Sequence, residues 1–161
     1  MNPLTKFVAS VAATAALAMV AFVPAHADDT DALMQLLRGQ IKNERHAVIE
    51  ANLVMASQQK EDFWPLYHEY HEKRDELMDQ RIALITEFGE NRMGITAEKA
   101  EDILKEALKL EKEIIKLKDK YRSKFVKVLL PRAALRYYQI ENKIDAIINY
   151  EVAMNVPLQP K

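Results

Sequence analysis

The chain has 161 residues, with 23 Lys and Arg against 24 Asp and Glu, three Gly and no Cys. The charge balance is close to neutral, and the absence of Cys excludes a disulfide framework. Few glycines and many charged residues favour long helices with short connections over a strand-rich fold.

The first 27 residues have the features of a secretory signal peptide. Lys6 gives a basic start, residues 7–23 are apolar, and residues 25–27 (AHA) form a small-x-small cleavage signal. An uncleaved membrane anchor is the alternative, because the apolar run approaches the roughly 17 residues that span a bilayer. The cleavage signal favours removal. We therefore expect a periplasmic protein whose residues 28–161 form one small helical domain without a stable membrane span.

The first helix of this domain is predicted over about residues 31–51. Its apolar face carries Leu33, Leu37, Ile41, Val48 and Ala51. Glu44 interrupts that face, and a charge on an apolar face is costly to bury unless it is paired.

The second helix, predicted over residues 57–88, is the stretch around which the rest of the chain is organised. Ser57 is a suitable N-cap, and Gly89 stands where the helix is expected to stop. Pro65 is expected to kink this helix without ending it. The residues that recur at three- and four-residue steps are Phe63, Leu66, Tyr67, Tyr70, Leu77, Met78, Arg81, Leu84, Ile85 and Phe88.

The third and fourth helices are predicted over residues 97–129 and 131–154. Thr96 is the expected N-cap of the third helix, and Pro131 the expected first residue of the fourth. The apolar side of the third helix comprises Ile103, Leu104, Ala107, Leu108, Glu111, Ile114, Ile115, Tyr121, Phe125 and Val128. Its opposite side carries a lysine stripe: Lys105, Lys109, Lys112, Lys116, Lys120, Lys124 and Lys127. The inward side of the fourth helix comprises Tyr137, Ile140, Glu141, Ile144, Ile147, Ile148 and Val152.

Charged residues on the apolar faces allow two interpretations. Arg74 and Arg81 on the second helix, like Glu141 on the fourth, either pair across a helical bundle or line an open groove. The sequence does not decide between these interpretations.

A cluster of metal-ligating side chains lies in the second helix at His68, His71, Glu72 and Asp75. The two histidines are three residues apart, whereas a zinc-protease helix needs them four apart. The cluster is expected on a solvent-facing side, where it is either a weak Zn or Cu site or a plain polar surface.

No sequence pattern indicates catalysis. The chain has no nucleophile elbow, no phosphate-binding loop and no Cys. We therefore expect a protein that is not an enzyme, needs no cofactor beyond a weakly bound metal, and binds no nucleic acid, since the lysine stripe lacks interleaved aromatic residues.

Short stretches near the helix starts resemble those of the Spy/CpxP family of periplasmic helical proteins, which carry LTxxQ-type motifs. The counterparts are residues 53–59 (LVMASQQ) and 95–99 (ITAEK), where Ser57 and Thr96 take the capping position and Lys99 replaces Gln. Residues 63–67 (FWPLY), Leu130-Pro131 and residues 139–143 (QIENK) also look like patterns of exported helical proteins in this wider group.

The resemblance implies an all-α fold in which a long bent hairpin forms an antiparallel homodimer with a concave face. It also implies an ATP-independent chaperone, or an envelope-stress accessory, that binds unfolded or partner proteins. The candidate binding residues are Tyr67, Tyr70, Arg74, Met78, Arg81, Arg136, Tyr137 and Tyr138. Two alternatives remain: a metal-binding or metal-sensing module, and an adaptor that docks on a membrane sensor through Lys109, Lys112 and Lys116.

Overall fold

The structure is a computed structural model that describes residues 43–156 and 158–160. We number its helices as follows: α1 is helical over its described residues 43–52, α2 spans Ser57–Asn91, and α3 spans Ala97–Asn155. A 3₁₀ turn, Arg92–Gly94, connects α2 to α3. The described residues contain no strand, so the all-α prediction is confirmed for them. The predicted signal peptide and residues 31–42 of the first predicted helix lie outside this part of the chain.

The chain divides into two compact units. One contains residues 43–54 together with Leu135–Asn155, and the other contains Met55–Ala134 with the described residues after 155. The second unit holds α2 and most of α3, which lie antiparallel: Phe63 contacts Phe125, Tyr70 contacts Tyr121, and Glu87 pairs with Lys99. We call this pair of helices the hairpin.

The start of α2 differs from the prediction by one residue. Ala56 takes the N-cap position with an extended backbone. The backbone N–H of Ala56 donates a hydrogen bond to the side-chain oxygen of Gln59 at 3.1 Å. Gln59 thus forms the half of a capping box that does not depend on the N-cap side chain. The expected cap of α3 is confirmed, because the backbone N–H of Lys99 donates to the hydroxyl of Thr96 at 3.2 Å.

Neither Pro65 nor Gly89 ends α2. The helix continues through Pro65, which is exposed. Because proline has no backbone N–H, one hydrogen bond of the helix is removed. Gly89 has no positive φ, and the helix runs on to Asn91 before the 3₁₀ turn. The predicted stop at Gly89 is therefore corrected: the turn begins after Asn91, whose amide caps the carbonyl of Glu87 at 2.9 Å.

The boundary expected before Pro131 is a kink inside α3. Leu130 has φ 65° and ψ 158°, the one non-helical residue within Ala97–Asn155. The ψ value follows from the proline ring, which pushes the preceding residue out of the helical region. The φ value lies in the left-handed half of the map, where a leucine is strained by about 1–3 kcal/mol. Leu130 thus separates the two helical segments at the place that the sequence predicts.

The core of the hairpin is an aromatic cluster. Phe63, Tyr67 and Tyr70 of α2 pack against Tyr121 and Phe125 of α3, and all five side chains are buried. Their ring centroids lie 5.3–6.4 Å apart, at the tilted and edge-to-face angles that aromatic pairs prefer. Farther along α2 the apolar residues from Leu77 onward are only half-buried.

The core of the other unit joins α1 to the last part of α3. Val48 and Ile49 are buried on α1, with Tyr137, Ile140 and Ile144 on α3. The predicted face of the first helix is therefore shifted. Ala51, expected to face inward, is exposed, and the buried charged residue is Arg45 instead of Glu44.

Candidate binding surface

The residues predicted to form a binding face are largely part of the core. Four are buried: Tyr67, Tyr70, Arg74 and Tyr137. The others are more accessible: Met78, Arg81 and Tyr138 are half-buried, and Arg136 is exposed. The burial of Tyr67, Tyr70 and Tyr137 agrees with the inward helix faces that their spacing predicts. A role for these residues in binding stays a prediction.

The predicted binding residues are also divided between the two units. Arg136, Tyr137 and Tyr138 belong to the unit that contains α1. There the guanidinium Nε of Arg136 donates to the backbone carbonyl of Asn52 at 2.6 Å, at the end of α1. This bond satisfies one of the carbonyls that a helix end leaves without an intrahelical partner. Arg136 therefore has a structural task in its own unit.

The four candidate metal ligands do not share one solvent-facing side. His71 is buried, with its ring centroid 4.1 Å from that of Tyr67, whereas His68 and Glu72 are exposed and Asp75 is half-buried. The expected placement of His71 is corrected, because a residue four positions after Tyr67 falls on the same helix face. Within the described chain, no group of three or more His, Cys, Asp or Glu side chains is arranged to hold a metal ion.

A polar network that the sequence did not predict borders the aromatic cluster. The hydroxyl of Tyr121 donates to the carboxylate of Glu69 at 2.6 Å, and the ammonium of Lys73 donates to both groups, at 2.8 Å and 2.9 Å. Lys124 lies 3.5 Å from Glu69 and 4.5 Å from the centre of the Tyr121 ring. Tyr121 is fully buried, and its hydroxyl contacts the partly exposed side chains of Glu69 and Lys73, so one residue links the core to the ion pairs.

The network changes the protonation equilibria of its members. The hydrogen bond from Tyr121, followed by that from Lys73, lowers the pKa of Glu69 from 4.5 to about 2. Hydrogen bonds to Tyr121 and then to Glu69 raise the pKa of Lys73. Each group is thereby held in its charged form.

The buried charge of the other unit is paired. Arg45 on α1 donates to Glu141 at 2.6 Å and to Asp145 at 3.2 Å, one helical turn apart on α3. The side chains of Arg45 and Glu141 are only 4% and 2% exposed. For Glu141 this supports pairing within the core over an open groove.

The hairpin has two faces, and ion pairs run along one of them. Glu69, Lys73 and Lys124 connect α2 and α3 near the aromatic cluster, and Glu87 connects to Lys99 at 2.5 Å near the turn. We call this the ion-pair face. The prediction that Lys124 lies opposite the apolar side is therefore corrected: its ammonium lies over the Tyr121 ring.

The other face of the hairpin carries exposed apolar residues, with the exposed Glu111 among them. The buried residue of α3 in this region is Leu110, with Ile103, Ala107 and Ile114 half-buried beside it. Leu104, Leu108 and Ile115 each follow one of these half-buried residues, so they lie about 100° farther around the helix. They are 60%, 47% and 65% exposed. On α2, Met78 and Ile82 fall on the same side of the hairpin and are half-buried. We call these five residues, Met78, Ile82, Leu104, Leu108 and Ile115, the open face.

Charges of opposite sign border the open face. On α3 the exposed lysines Lys105, Lys109, Lys112 and Lys116 lie beyond the open face, on the side of the helix directed away from α2, and we call them the lysine rim. On α2 the border is acidic and comprises Glu72, Asp75 and Asp79, which we call the acidic rim. Lys109 forms an ion pair with Glu106 at 2.8 Å, which raises the pKa of Lys109.

The sequence contains a signal for the open face, because apolar residues occur in adjacent pairs along α3. Pairs such as Ile103-Leu104, Ala107-Leu108 and Ile114-Ile115 place apolar residues 100° apart, so one helix carries two adjacent apolar faces. Only one of them packs against α2. For Arg45, the signal was its position three and four residues before the buried Val48 and Ile49.

Comparison with protein-family models, curated proteins and solved structures finds no match to this chain. The resemblance to the Spy/CpxP family therefore stays a prediction. Across the described residues, no helix combines the length and the apolar character that crossing a bilayer requires.

Proposed function

We propose that this protein is an exported, non-enzymatic helical protein of the Spy/CpxP type that binds unfolded or partner polypeptides through the open face. In this proposal it acts without ATP in the periplasm, as a chaperone or as an accessory of an envelope-stress response. Its four helical segments and a homodimer, as the resemblance implies, belong to the same proposal.

The observation that carries the proposal is the exposure of Leu104, Leu108 and Ile115 along one helix face. Single exposed apolar side chains are normal on a protein surface, but several on one helix face are typical of a site that binds another chain. The lysine rim adds long-range attraction for acidic segments, which increases the rate of encounter.

The proposal moves the binding site from the one predicted from sequence. Half-buried Met78 is common to both sets, whereas the buried tyrosines would have to leave the core to contact a client. An accessible stripe needs no such rearrangement.

The test is suppression of aggregation of a denatured client on dilution, without ATP, using the purified exported protein. We expect Leu104→Ser/Ile115→Ser to lose most of the suppression, because two apolar contacts are removed from the open face. Leu135→Ser is the matched control, since Leu135 is equally exposed, at 62%, but lies in the other unit.

Two further conditions separate the proposal from its alternatives. Suppression should weaken as salt is added, since the lysine rim is exposed and is screened within about 10 Å at 0.1 M salt. It should persist with a chelator, whereas loss with chelator would favour the metal-binding alternative. A parent protein that suppresses nothing would contradict the chaperone proposal and favour an adaptor.

A further inference from the structure

The chain around the kink in α3 is rich in positive charge. Residues 120–134, which surround Leu130, contain five Lys or Arg and no Asp or Glu, although the whole chain has a net charge of -1. Arg122 forms an ion pair with Asp119 at 3.0 Å. An excess of one charge sign in so short a segment produces a local field that attracts anions. The basic residues are all exposed: Lys120, Arg122, Lys124, Lys127 and Arg132.

Two of these basic residues flank Leu130. Lys127 lies three residues before it and Arg132 lies two residues after it. Lys124, about one turn before Lys127, already contacts Glu69 at 3.5 Å, so it contributes less to a further partner. Long basic side chains extend well beyond their own backbone, so the charged ends of Lys127 and Arg132 can reach a surface that Leu130 enters.

Acidic groups near the kink are fewer than basic ones. The side-chain N–H of Gln59 donates to the backbone carbonyl of Val128 at 3.3 Å, which places the first turns of α2 beside the kink. Those turns carry two acidic residues, Glu61 and Asp62, and one basic residue, Lys60. Positive charge therefore predominates at this end of the hairpin.

Leu130 exposes an apolar side chain at the place where the backbone is strained. Leu129 is 1% exposed and fixes the chain in the core, whereas Leu130 is 63% exposed and has φ 65°. A glycine would adopt this backbone without strain, so the stability of the kink does not account for a leucine there. Strained residues cluster at functional sites. An apolar side chain among basic groups is typical of surfaces that bind lipid.

We propose that the kink binds the surface of an anionic lipid bilayer, with Leu130 among the headgroups and Lys127 and Arg132 beside the lipid phosphates. We call Lys127, Leu130, Pro131 and Arg132 the kink surface. It lies outside the open face and does not depend on the proposed function. One apolar side chain anchors a protein only weakly, but the attraction of basic residues to anionic lipid adds to it, so the two together give reversible binding.

A bilayer fits the kink surface better than an acidic protein does. A stable protein interface buries about 800 Å² on each partner and needs matched shapes. The exposed apolar group here is one leucine beside an exposed proline, Pro131. Lipid headgroups rearrange around the groups that approach them, so they need no matching shape and can neutralise each basic residue within reach.

Sedimentation with sucrose-loaded vesicles at about 0.1 M salt tests the inference with the purified exported protein. We expect binding to vesicles of equal parts phosphatidylglycerol and phosphatidylcholine, and little binding to phosphatidylcholine alone. Lys127→Glu/Arg132→Glu should weaken binding at least about ten-fold, since each basic residue near an anionic surface strengthens binding about five-fold. Leu130→Gly keeps the kink and removes the apolar side chain, so binding should fall about three- to ten-fold.

The matched control is Lys105→Glu/Lys112→Glu, which changes the net charge equally at two exposed lysines of the same helix. By helical rise, Lys112 lies roughly 25 Å from Leu130, beyond the screening length of about 10 Å at this salt concentration. The control should bind the anionic vesicles as the parent does.

A fluorescent probe shows which residue enters the bilayer. The chain has no Cys, so Leu130→Cys and Leu104→Cys each introduce a unique site, at positions that are 63% and 60% exposed. An environment-sensitive dye at residue 130 should shift to shorter wavelength with anionic vesicles and be protected from an aqueous quencher. The same dye at residue 104, on the open face, should show neither change.

Failure of the parent to bind anionic vesicles would overturn the inference, as would an equal loss of binding in the control or a spectral shift at residue 104 instead of residue 130. Binding to polyglutamate without binding to vesicles would identify an acidic polypeptide as the partner and also overturn it. The variants at residues 127, 130 and 132 leave the open face unchanged, so client suppression should persist in them and the two proposals can fail separately.

Discussion

At the scale of single residues, two polar networks support the two cores in different ways. Tyr121, Glu69 and Lys73 form a half-exposed network at the edge of the aromatic cluster. Arg45, Glu141 and Asp145 form a network inside the other unit. The first is screened by solvent and sets protonation equilibria. The second is buried and bears directly on the free energy of unfolding.

The pKa of Glu69 predicts how acid affects the hairpin. Because this pKa is about 2 in the folded state and 4.5 ordinarily, ionised Glu69 stabilises the fold above pH 4.5. That contribution is lost as pH falls from 4.5 toward 2. Tyr121→Phe keeps the buried ring but removes the largest cause of the shift. The pKa of the Glu69 carboxyl, measured by NMR titration, should then rise toward 4.5, and the acid dependence of unfolding in this window should become smaller.

Glu72→Gln is the matched control for this titration, as an exposed carboxylate one turn from Glu69. It should leave the pKa of Glu69 within a few tenths of a unit. An unchanged pKa in Tyr121→Phe would show that the hydroxyl does not hold the carboxylate in solution.

The buried pair of Arg45 and Glu141 predicts an asymmetric mutational response. Glu141→Leu alone leaves a buried guanidinium without its closest partner and should destabilise the fold by about 3–5 kcal/mol. Arg45→Met/Glu141→Leu should recover part of this loss, because the two most deeply buried charges are then gone, whereas Asp145, 13% exposed, loses its contact with Arg45. Urea unfolding of the single and double variants measures both values. If the losses of stability in Glu141→Leu and Arg45→Met add up to the loss in the double variant, a buried interaction between these residues is contradicted.

At the scale of the helices, the sequence predicted element type well and the facing of side chains less well. The three- and four-residue periodicity of α2 placed Phe63, Tyr67 and Tyr70 inward, and all three are buried. The same periodicity could not separate Leu104 from Ile103, because it does not specify how wide a face the neighbouring helix covers. The prediction that His71 faces solvent was wrong for a different reason. Its polarity suggested solvent, but its helical position lies on the buried side.

The strained backbone at Leu130 predicts how a glycine at this position of α3 changes the stability of the protein. Leu130 is 63% exposed and has φ 65°, so its side chain contributes little burial while its backbone is strained. Leu130→Gly should relieve that strain and, after the entropy lost by glycine, stabilise the protein by about 1 kcal/mol.

Leu135→Gly is the control for the kink, because Leu135 is similarly exposed in the same helix but has no positive φ. There glycine should destabilise by about 1 kcal/mol. Thermal or urea unfolding gives both signs. Destabilisation by Leu130→Gly equal to that of the control would mean that the backbone at residue 130 is helical in solution.

At the scale of the whole molecule, the two compact units have different chemistry. The unit containing α1 has the Arg45 ion pairs in its core, whereas the hairpin has an aromatic core at one end and the open face toward the other. The candidate site could not be predicted from sequence, because exposure depends on which helix covers which face.

The central claim is that the open face contacts polypeptide, and a single engineered cysteine tests it most directly. The chain has no Cys of its own, so Leu108→Cys introduces a unique probe on that face, and Leu135→Cys a control in the other unit. The rate of maleimide labelling is measured at protein concentrations low enough to keep the chain monomeric, with and without a denatured client. The account predicts at least about a ten-fold slower labelling at residue 108 with client present, and an unchanged rate at residue 135. Equal rates at residue 108 with and without bound client would contradict it.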